Sequence, residues 1–247
     1  MTGEQRVGSV AALSRFAVKG TAGEALPEVM VDRRGVVQDR VWAAYTADGG
    51  IVSGKTTQRF RRVDGLMRWR STVSNGQVPI LHSPDGHSYR VDGPAAALAL
   101  SESLGQPVTL APEAAIPHFD DSGVHLVTTS SLRQVEQLVG SRVDSRRFRG
   151  NILVDTDEAG FVDDDWWGRS LRVGPEVILR VDTGMPRCVM VDRDQAEVSA
   201  APTVLKTLGR EHNTNLGVQL TVLRPGRVTV GDTVVLTRPE SGDQSSG

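Results

Sequence analysis

Short runs of β-branched and apolar residues, each closed within a few positions by Gly, Pro or Asp, recur along the whole chain. Val29 to Val31, Val41 to Tyr45, Met67 to Val73, Tyr89 to Val91, Val108 to Leu110 and Val124 to Val127 are of this kind. Ile152 to Val154, Ser170 to Val173, Val177 to Val181, Val218 to Leu223 and the pair "VTVGDTVVL" within Val228 to Leu236 continue the pattern. Strands this short bury their apolar residues only by pairing across turns, which confines the chain to barrels and sandwiches. Helical spacing is scarce. Pro94 to Leu104 ends at Gly105, a natural helix stop. Ser130 to Val139 puts Leu132, Val135, Leu138 and Val139 on one face before Gly140, and Pro202 to Arg210 is expected as a third, shorter helix. The expected fold class is mainly β with a few α-helices (α+β).

With 247 residues, 38% of them hydrophobic, the chain can bury one large core or two modest ones. A soft boundary falls in the polar, proline-bearing stretch from Ala111 to Asp121, and the Ser/Gly-rich residues 239–247 are expected to form a disordered tail. A formal charge of −2 gives no global pull toward nucleic acid or membrane. No apolar run reaches membrane-spanning length and no charged-then-apolar leader is present, so a cytoplasmic location is expected. Lys19, Lys55 and Lys206 are the only lysines, an arginine excess to which no function is assigned.

One stretch invites a nucleotide-hydrolase reading. "GGIVSGKT" at Gly49 to Thr56 fits the phosphate-binding pattern G-x-x-x-x-G-K-[ST] letter for letter. That pattern works where a strand ends at the first glycine and a helix begins at the Lys-Ser/Thr, so that N–H groups converge on phosphate. Here Asp48-Gly49 signals a hairpin turn, Ile51 to Ser53 looks like its return strand, and Thr57 to Gly65 lacks apolar residues at helical spacing. Lys55 is therefore expected on a loop after a β-hairpin.

The remaining chemistry is sparse. There is no G-x-S-x-G, and His82, His87, His118, His125 and His212 show no metal-type spacing. The aspartates at 155–158 and 163–165 lack the glycine and spacing of a calcium loop and are expected in a solvated turn, with Trp166-Trp167 as a packing anchor. Cys188, the single cysteine, excludes an internal disulfide and an all-cysteine metal cage within one chain. It follows Gly184 and Pro186 and adjoins Arg187, whose guanidinium favours the thiolate, the form that attacks sulfur or ligates metal. An inert buried thiol is equally compatible with these local features.

Several stretches resemble the MOSC family, named for the C-terminal part of molybdenum-cofactor sulfurase, and its relatives with an added N-terminal β-barrel, such as the mitochondrial amidoxime-reducing component. "RFAVKGTAGEAL" at 15–26 and "RRGVVQDRVWAAYTADGG" at 33–50 resemble that barrel's opening. "DDSGVHLVTTSSL" at 120–132 joins the halves, and "FRGNILVD" at 148–155, "DDDWWGRSLRVG" at 163–174, "MPRCVMVDRD" at 185–194 and "NLGVQLTVLRPGRVTVGDTVVL" at 215–236 follow in family order. The resemblance implies an N-terminal β-barrel domain over about 1–115 and a MOSC β-barrel over 116–238. "SGKTT" falls where the family has a loop after its "DRxW" strand.

The resemblance also implies a molybdenum cofactor, a metal dithiolene on a phosphate-bearing pterin. Cys188 would be the metal ligand and a catalytic residue, flanked by Arg187. Lys19 and Arg40 would meet the cofactor's negative charge, the guanidinium by paired hydrogen bonds and the lysine as a point charge. Thr128 and Thr129, at a helix start, and the pair Arg149 and Asn151 would complete the cofactor site. Asp194 is the candidate for proton delivery. The implied activity is reduction of an N-hydroxylated or N-oxide small molecule. No four-cysteine ferredoxin-like extension follows, so electrons would come from a separate donor protein of ferredoxin, flavodoxin or cytochrome type. Persulfide transfer by Cys188 and a non-catalytic cofactor carrier are the alternatives. Pyridoxal phosphate, also associated with the family, has no support among these residues. Gly20 stands where such relatives often carry serine, and Gln219 where an aromatic is common.

Overall fold

The structure is a computed structural model that describes residues 4–74 and 77–237; the expected tail at 239–247 lies outside the described residues. The first strands are β1 (Gln5–Arg15), β2 (Glu24–Leu26), β3 (Glu28–Asp32), β4 (Gly35–Val36), β5 (Trp42–Thr46), β6 (Ile51–Ser53) and β7 (Phe60–Arg62). β8 (Arg70–Thr72), β9 (Ile80–His82) and β10 (Ser88–Arg90) precede α1 (Pro94–Leu104) and β11 (Val108–Pro112). Then come β12 (Val124–Thr128), α2 (Thr129–Val139), β13 (Ile152–Asp155), β14 (Ser170–Val173) and β15 (Val177–Pro186). α3 (Val204–Glu211), β16 (Asn215–Arg224), β17 (Gly226–Thr229) and β18 (Thr233–Thr237) complete the order. The expected mainly-β, α+β class is what forms.

Seven strands close a barrel in the order β13-β12-β16-β15-β14-β18-β1, sealed by antiparallel pairing of β1 with β13. Closure removes the exposed edges that an open sheet would leave. At the seam the strands approach so closely that a Cβ on Gly8 would lie 2.0 Å from the Asp155 carbonyl oxygen, which accounts for glycine there. The interior is apolar: Leu13, Leu126, Ile152, Leu171, Leu179, Val181, Val218 and Leu236 are all buried. Val29, Val31, Val36 and Val228, from the small sheet β17-β3-β4, join the same cluster. Outside the wall, α2 and α3 share a second cluster containing Val127, Val135, Phe148, Leu208 and Leu216.

The smaller module has a four-stranded sheet, β11-β5-β6-β7, and a three-stranded sheet, β10-β9-β8. Its core of Val18, Val52, Leu66, Trp69, Leu81 and Leu100 includes the buried face of α1. The segment after β1 ties the modules together. Lys19 donates its backbone N–H to Trp42 O at 2.7 Å, and Phe16 donates its own to Asp39 Oδ1 at 2.7 Å. No helix among the described residues is long and apolar enough to cross a membrane.

Three details differ from the sequence reading. Met67 to Val73 is not one strand: Leu66, Met67 and Trp69 are all buried, which alternation forbids, and a 3-10 turn at Leu66–Arg68 precedes β8. The "VTVGDTVVL" strands do not pair with each other, since β17 joins β3 whereas β18 enters the barrel. Asp163 is no solvated acid. It is buried beneath the start of α2, where Thr128 Oγ1 donates to it at 2.8 Å and the Ser131 hydroxyl also donates. Trp166 does anchor the barrel core, while Trp167 is largely exposed.

Candidate functional site

β15 ends at Pro186, and the chain turns into a 3-10 helix, Val189–Asp192, whose N-cap is Cys188. The turn points Cys188 into a cleft between the barrel and the smaller module. The cleft has a volume of about 100 Å³, and its wall includes Lys19, Arg40, Lys55, Arg149, Arg187 and Cys188. The thiol is unpaired and partly exposed. The feared alternative, a thiol sealed among aliphatic side chains, is not what forms.

The cations reach the cleft from separate parts of the chain. Arg187, beside the thiol, donates to Leu216 O at 2.9 Å, to Phe148 O at 2.9 Å and to the His125 ring. Arg149 has a left-handed backbone (φ 55), donates to Thr21 O at 2.8 Å and lies over the Phe16 ring at 4.4 Å. Arg40, also left-handed (φ 54), donates to Arg149 O at 3.1 Å and pairs with the Asp39 carboxylate. Lys19 is 4% exposed, with Nζ 3.0 Å from Asp120 Oδ1. Gly20 follows it at φ 87, and a Cβ there would meet Leu66 Cδ2 at 2.7 Å. The left-handed backbone at Gly20 disfavours serine at this position.

Burial depresses the basic pKa values here, because a cation in low dielectric is costly. Burial brings Arg149 and Arg187 down to about 9, and the Asp39 and Asp120 carboxylates oppose the fall at Arg149. Lys19 falls to about 8, burial outweighing the attraction of Asp120. His125 is pushed well below its ordinary value by burial and by Arg187, so it stays neutral and accepts from the guanidinium. The result is a wall of positive charge with room for an anion.

The sequence-predicted residues divide in two. Lys19, Arg40, Arg149, Arg187 and Cys188 converge on the cleft. Thr128, Thr129, Asn151 and Asp194 lie outside its lining. Thr128 caps α2, accepting from Ser131 N at 3.1 Å while donating to Asp163. Thr129 donates to Asp155 Oδ1 at 2.8 Å. Asn151 is a buried clip, accepting from His125 N and donating to Ser14 O, each at 3.2 Å. Asp194 is exposed, 3.4 Å from Arg68. Sequence reasoning missed His125, Asp120 and Lys55 as cleft residues. For Lys55 a signal existed in the P-loop look-alike, although its setting, after the β5–β6 hairpin, is the expected one. His125 and Asp120 carried none.

A closed barrel joined to a smaller β module, with a free thiol and a cationic wall at the junction, defines a two-module β protein built around an anion-friendly cleft. The chain belongs to the MOSC domain family: the MOSC domain matches residues 106–235, and the MOSC N-terminal beta barrel domain matches residues 7–106. No curated protein matches it. Among solved structures it is similar to the YUAD protein from Bacillus subtilis, at 12% identity over 97% of this chain and 100% of that one, with a TM-score of 0.54. At this identity the likeness shows a shared fold. YiiM from Geobacillus stearothermophilus aligns at 17% identity over 49% of this chain and 57% of that one, with a TM-score of 0.38, too low to bear on the argument.

Proposed function

We propose that the cleft binds a molybdenum cofactor, with Cys188 as the protein's thiolate ligand, and that the protein reduces N-hydroxylated or N-oxide small molecules. The observation that carries this reading is the pairing of one free thiol with half-buried guanidiniums whose partners, for Arg149 and Arg187, are carbonyls and a neutral histidine rather than carboxylates. Such a donor set fits an anionic, phosphate-bearing group with a thiophilic metal. When bound, the cofactor supplies a two-electron redox centre.

The chain's own residues do the rest. Cys188 offers sulfur from the cleft wall that it shares with Arg149 and Arg187. Arg149 and Arg40 grip oxyanions through planar paired N–H groups, and Lys19 adds a point charge. His125 fixes the orientation of Arg187. In the overall reaction an N–O bond breaks, two electrons and two protons are taken up, and water leaves. The electrons come from a separate ferredoxin-, flavodoxin- or cytochrome-type protein.

Metal and pterin analysis of protein expressed in a cofactor-making host tests this. Stoichiometric molybdenum is expected in the wild type, with loss or a changed spectrum in Cys188→Ser. A wild type without molybdenum defeats the reading, and an unchanged metal spectrum in the variant removes Cys188 from the coordination sphere. A second reading, a carrier that holds the cofactor without turnover, gains from the exposed position of Asp194, which leaves the proton donor unassigned. Bound pterin with no turnover from any electron donor would select it.

A further inference from the structure

Lys55 belongs to the motif set aside in the sequence, yet its side chain reaches the cleft. Its Nζ lies 3.4 Å from Asp120 Oδ1, the same oxygen that Lys19 Nζ meets at 3.0 Å. Both ammonium groups also sit over one ring, at 4.9 Å (Lys19) and 5.1 Å (Lys55) from the Phe60 centroid. Two cations from different loops therefore converge on a single point, and one carboxylate oxygen occupies it. Arg40 adds a third positive charge nearby, its own carboxylate partner being Asp39. Two carboxylates for three cations leave this cluster with one excess positive charge. Asp121 is the other carboxylate on the wall, and it is exposed.

Asp120 is a poorly fastened, exposed counter-ion. Its side chain is 32% exposed, whereas that of Lys19 is 5% exposed. It lies in the irregular connection between β11 and β12. Among the described residues, Phe119 to Asp121 make no backbone–backbone hydrogen bond. Swinging this carboxylate outward breaks the two ion pairs and little else.

We propose that Lys19 and Lys55 form a phosphate subsite at the small-module end of the cleft, held by Asp120 until a ligand's phosphate displaces that carboxylate. A phosphate dianion answers two ammonium groups better than one carboxylate does, and lysines serve phosphate as point charges, without a helix N-terminus or a glycine nest. The depressed pKa of Lys19, about 8, agrees with a cation that is under-compensated while Asp120 is its partner. The inference rests on the cleft taking an anionic ligand and does not require a metal.

Calorimetric titration of the full-length protein with inorganic phosphate tests it, with acetate as a monoanionic control. Asp120→Asn is expected to tighten phosphate binding by about tenfold, since a competing full charge within ion-pair distance is removed. Lys55→Gln is expected to weaken it, and the double variant to lose the gain of Asp120→Asn. Lys55 is partly exposed, so this variant is readable even if changes at buried Lys19 unfold the chain; melting curves check each protein. Unchanged or weaker phosphate binding in Asp120→Asn overturns the proposal. So does acetate binding as tight as phosphate, which would leave only a general cationic patch. If molybdenum analysis fails while the phosphate results hold, the cofactor assignment falls and the subsite stands; the reverse outcome separates them equally.

Discussion

The barrel interior and the cleft beside it are made from the same strands under opposite rules. Inside the ring, Leu126, Ile152, Leu179 and Val218 exclude every charge and fill their space with one another. A few residues along the same elements, Arg149 precedes β13, Arg187 follows β15 and His125 lies within β12, and there the chain gathers half-buried cations with few carboxylates to answer them. Apolar burial stabilises the folded state, whereas an uncompensated buried cation opposes it. A fold rarely retains such an opposition unless a ligand relieves it. The difference teaches that stability is supplied by the ring and is partly withheld at the junction, where the proposed ligand would sit.

The sharpest way to break this comparison is to damage the ring alone. Leu179→Ala removes a fully buried side chain and is expected to cost about 3 kcal/mol of stability, as large-to-small core changes do. Phosphate affinity of the folded fraction should be unchanged, because Leu179 lines no part of the cleft. Denaturant unfolding followed by titration below the transition checks both halves. A parallel loss of phosphate affinity would show that ring and cleft are one mechanical unit.

The cleft should respond to pH in the opposite sense from an ordinary ion pair. Lys19 has a folded pKa of about 8, below the ordinary lysine value of 10.5. Between those values the unfolded chain holds more protons than the folded one, so stability rises with pH across that window. From pH 7 to pH 9 the gain is about 1 kcal/mol, or roughly 2–4 °C in melting temperature for a chain of this size. Arg149 and Arg187, brought down to about 9, push in the same direction above it. Lys19→Met should flatten the lower part of this rise, and saturating phosphate should reverse its sign by favouring the protonated lysine. A melting temperature that is level or falling from pH 7 to pH 8.5 would refute the view that Lys19 is under-compensated.

Most of the ring was legible in the sequence because its signals are local. A short β-branched run between turn residues looks like a strand wherever it ends up, and Gly105 and Gly140 stop α1 and α2 where glycine stops were expected. β1 escaped notice although it seals the barrel. Its "QRVGSVAALSR" mixes serine and glycine into the apolar positions, and register shifts on either side of Gly8 break the alternation. The site was half legible. Cys188 and Arg187 stood out locally, as a lone thiol beside a guanidinium, whereas Arg149, Arg40 and Lys19 came only through family resemblance; all five line the cleft. Thr128 and Asn151 misled because a polar residue at a helix start or strand entry reads the same whether it faces a ligand or a neighbouring backbone. His125 and Asp120 were invisible, since what makes them cleft residues is contact with Arg187 and with the two lysines, which tertiary packing alone arranges.

The smallest expected effect concerns Asp194, the residue once placed in proton delivery. It is exposed and meets Arg68, itself exposed, at 3.4 Å, and such surface pairs contribute about 0–1 kcal/mol. Asp194→Asn should therefore shift stability by no more than about 0.5 kcal/mol and leave phosphate affinity within error. If molybdenum-loaded protein turns over, its rate and pH profile should also survive the change, because a proton donor must lie within hydrogen-bond reach of the reacting group or one water away. A rate that falls by an order of magnitude in Asp194→Asn, with stability intact, would mean that the loop after Cys188 closes over the cleft during reaction, and the line drawn between the cationic wall and its solvated rim would have to move.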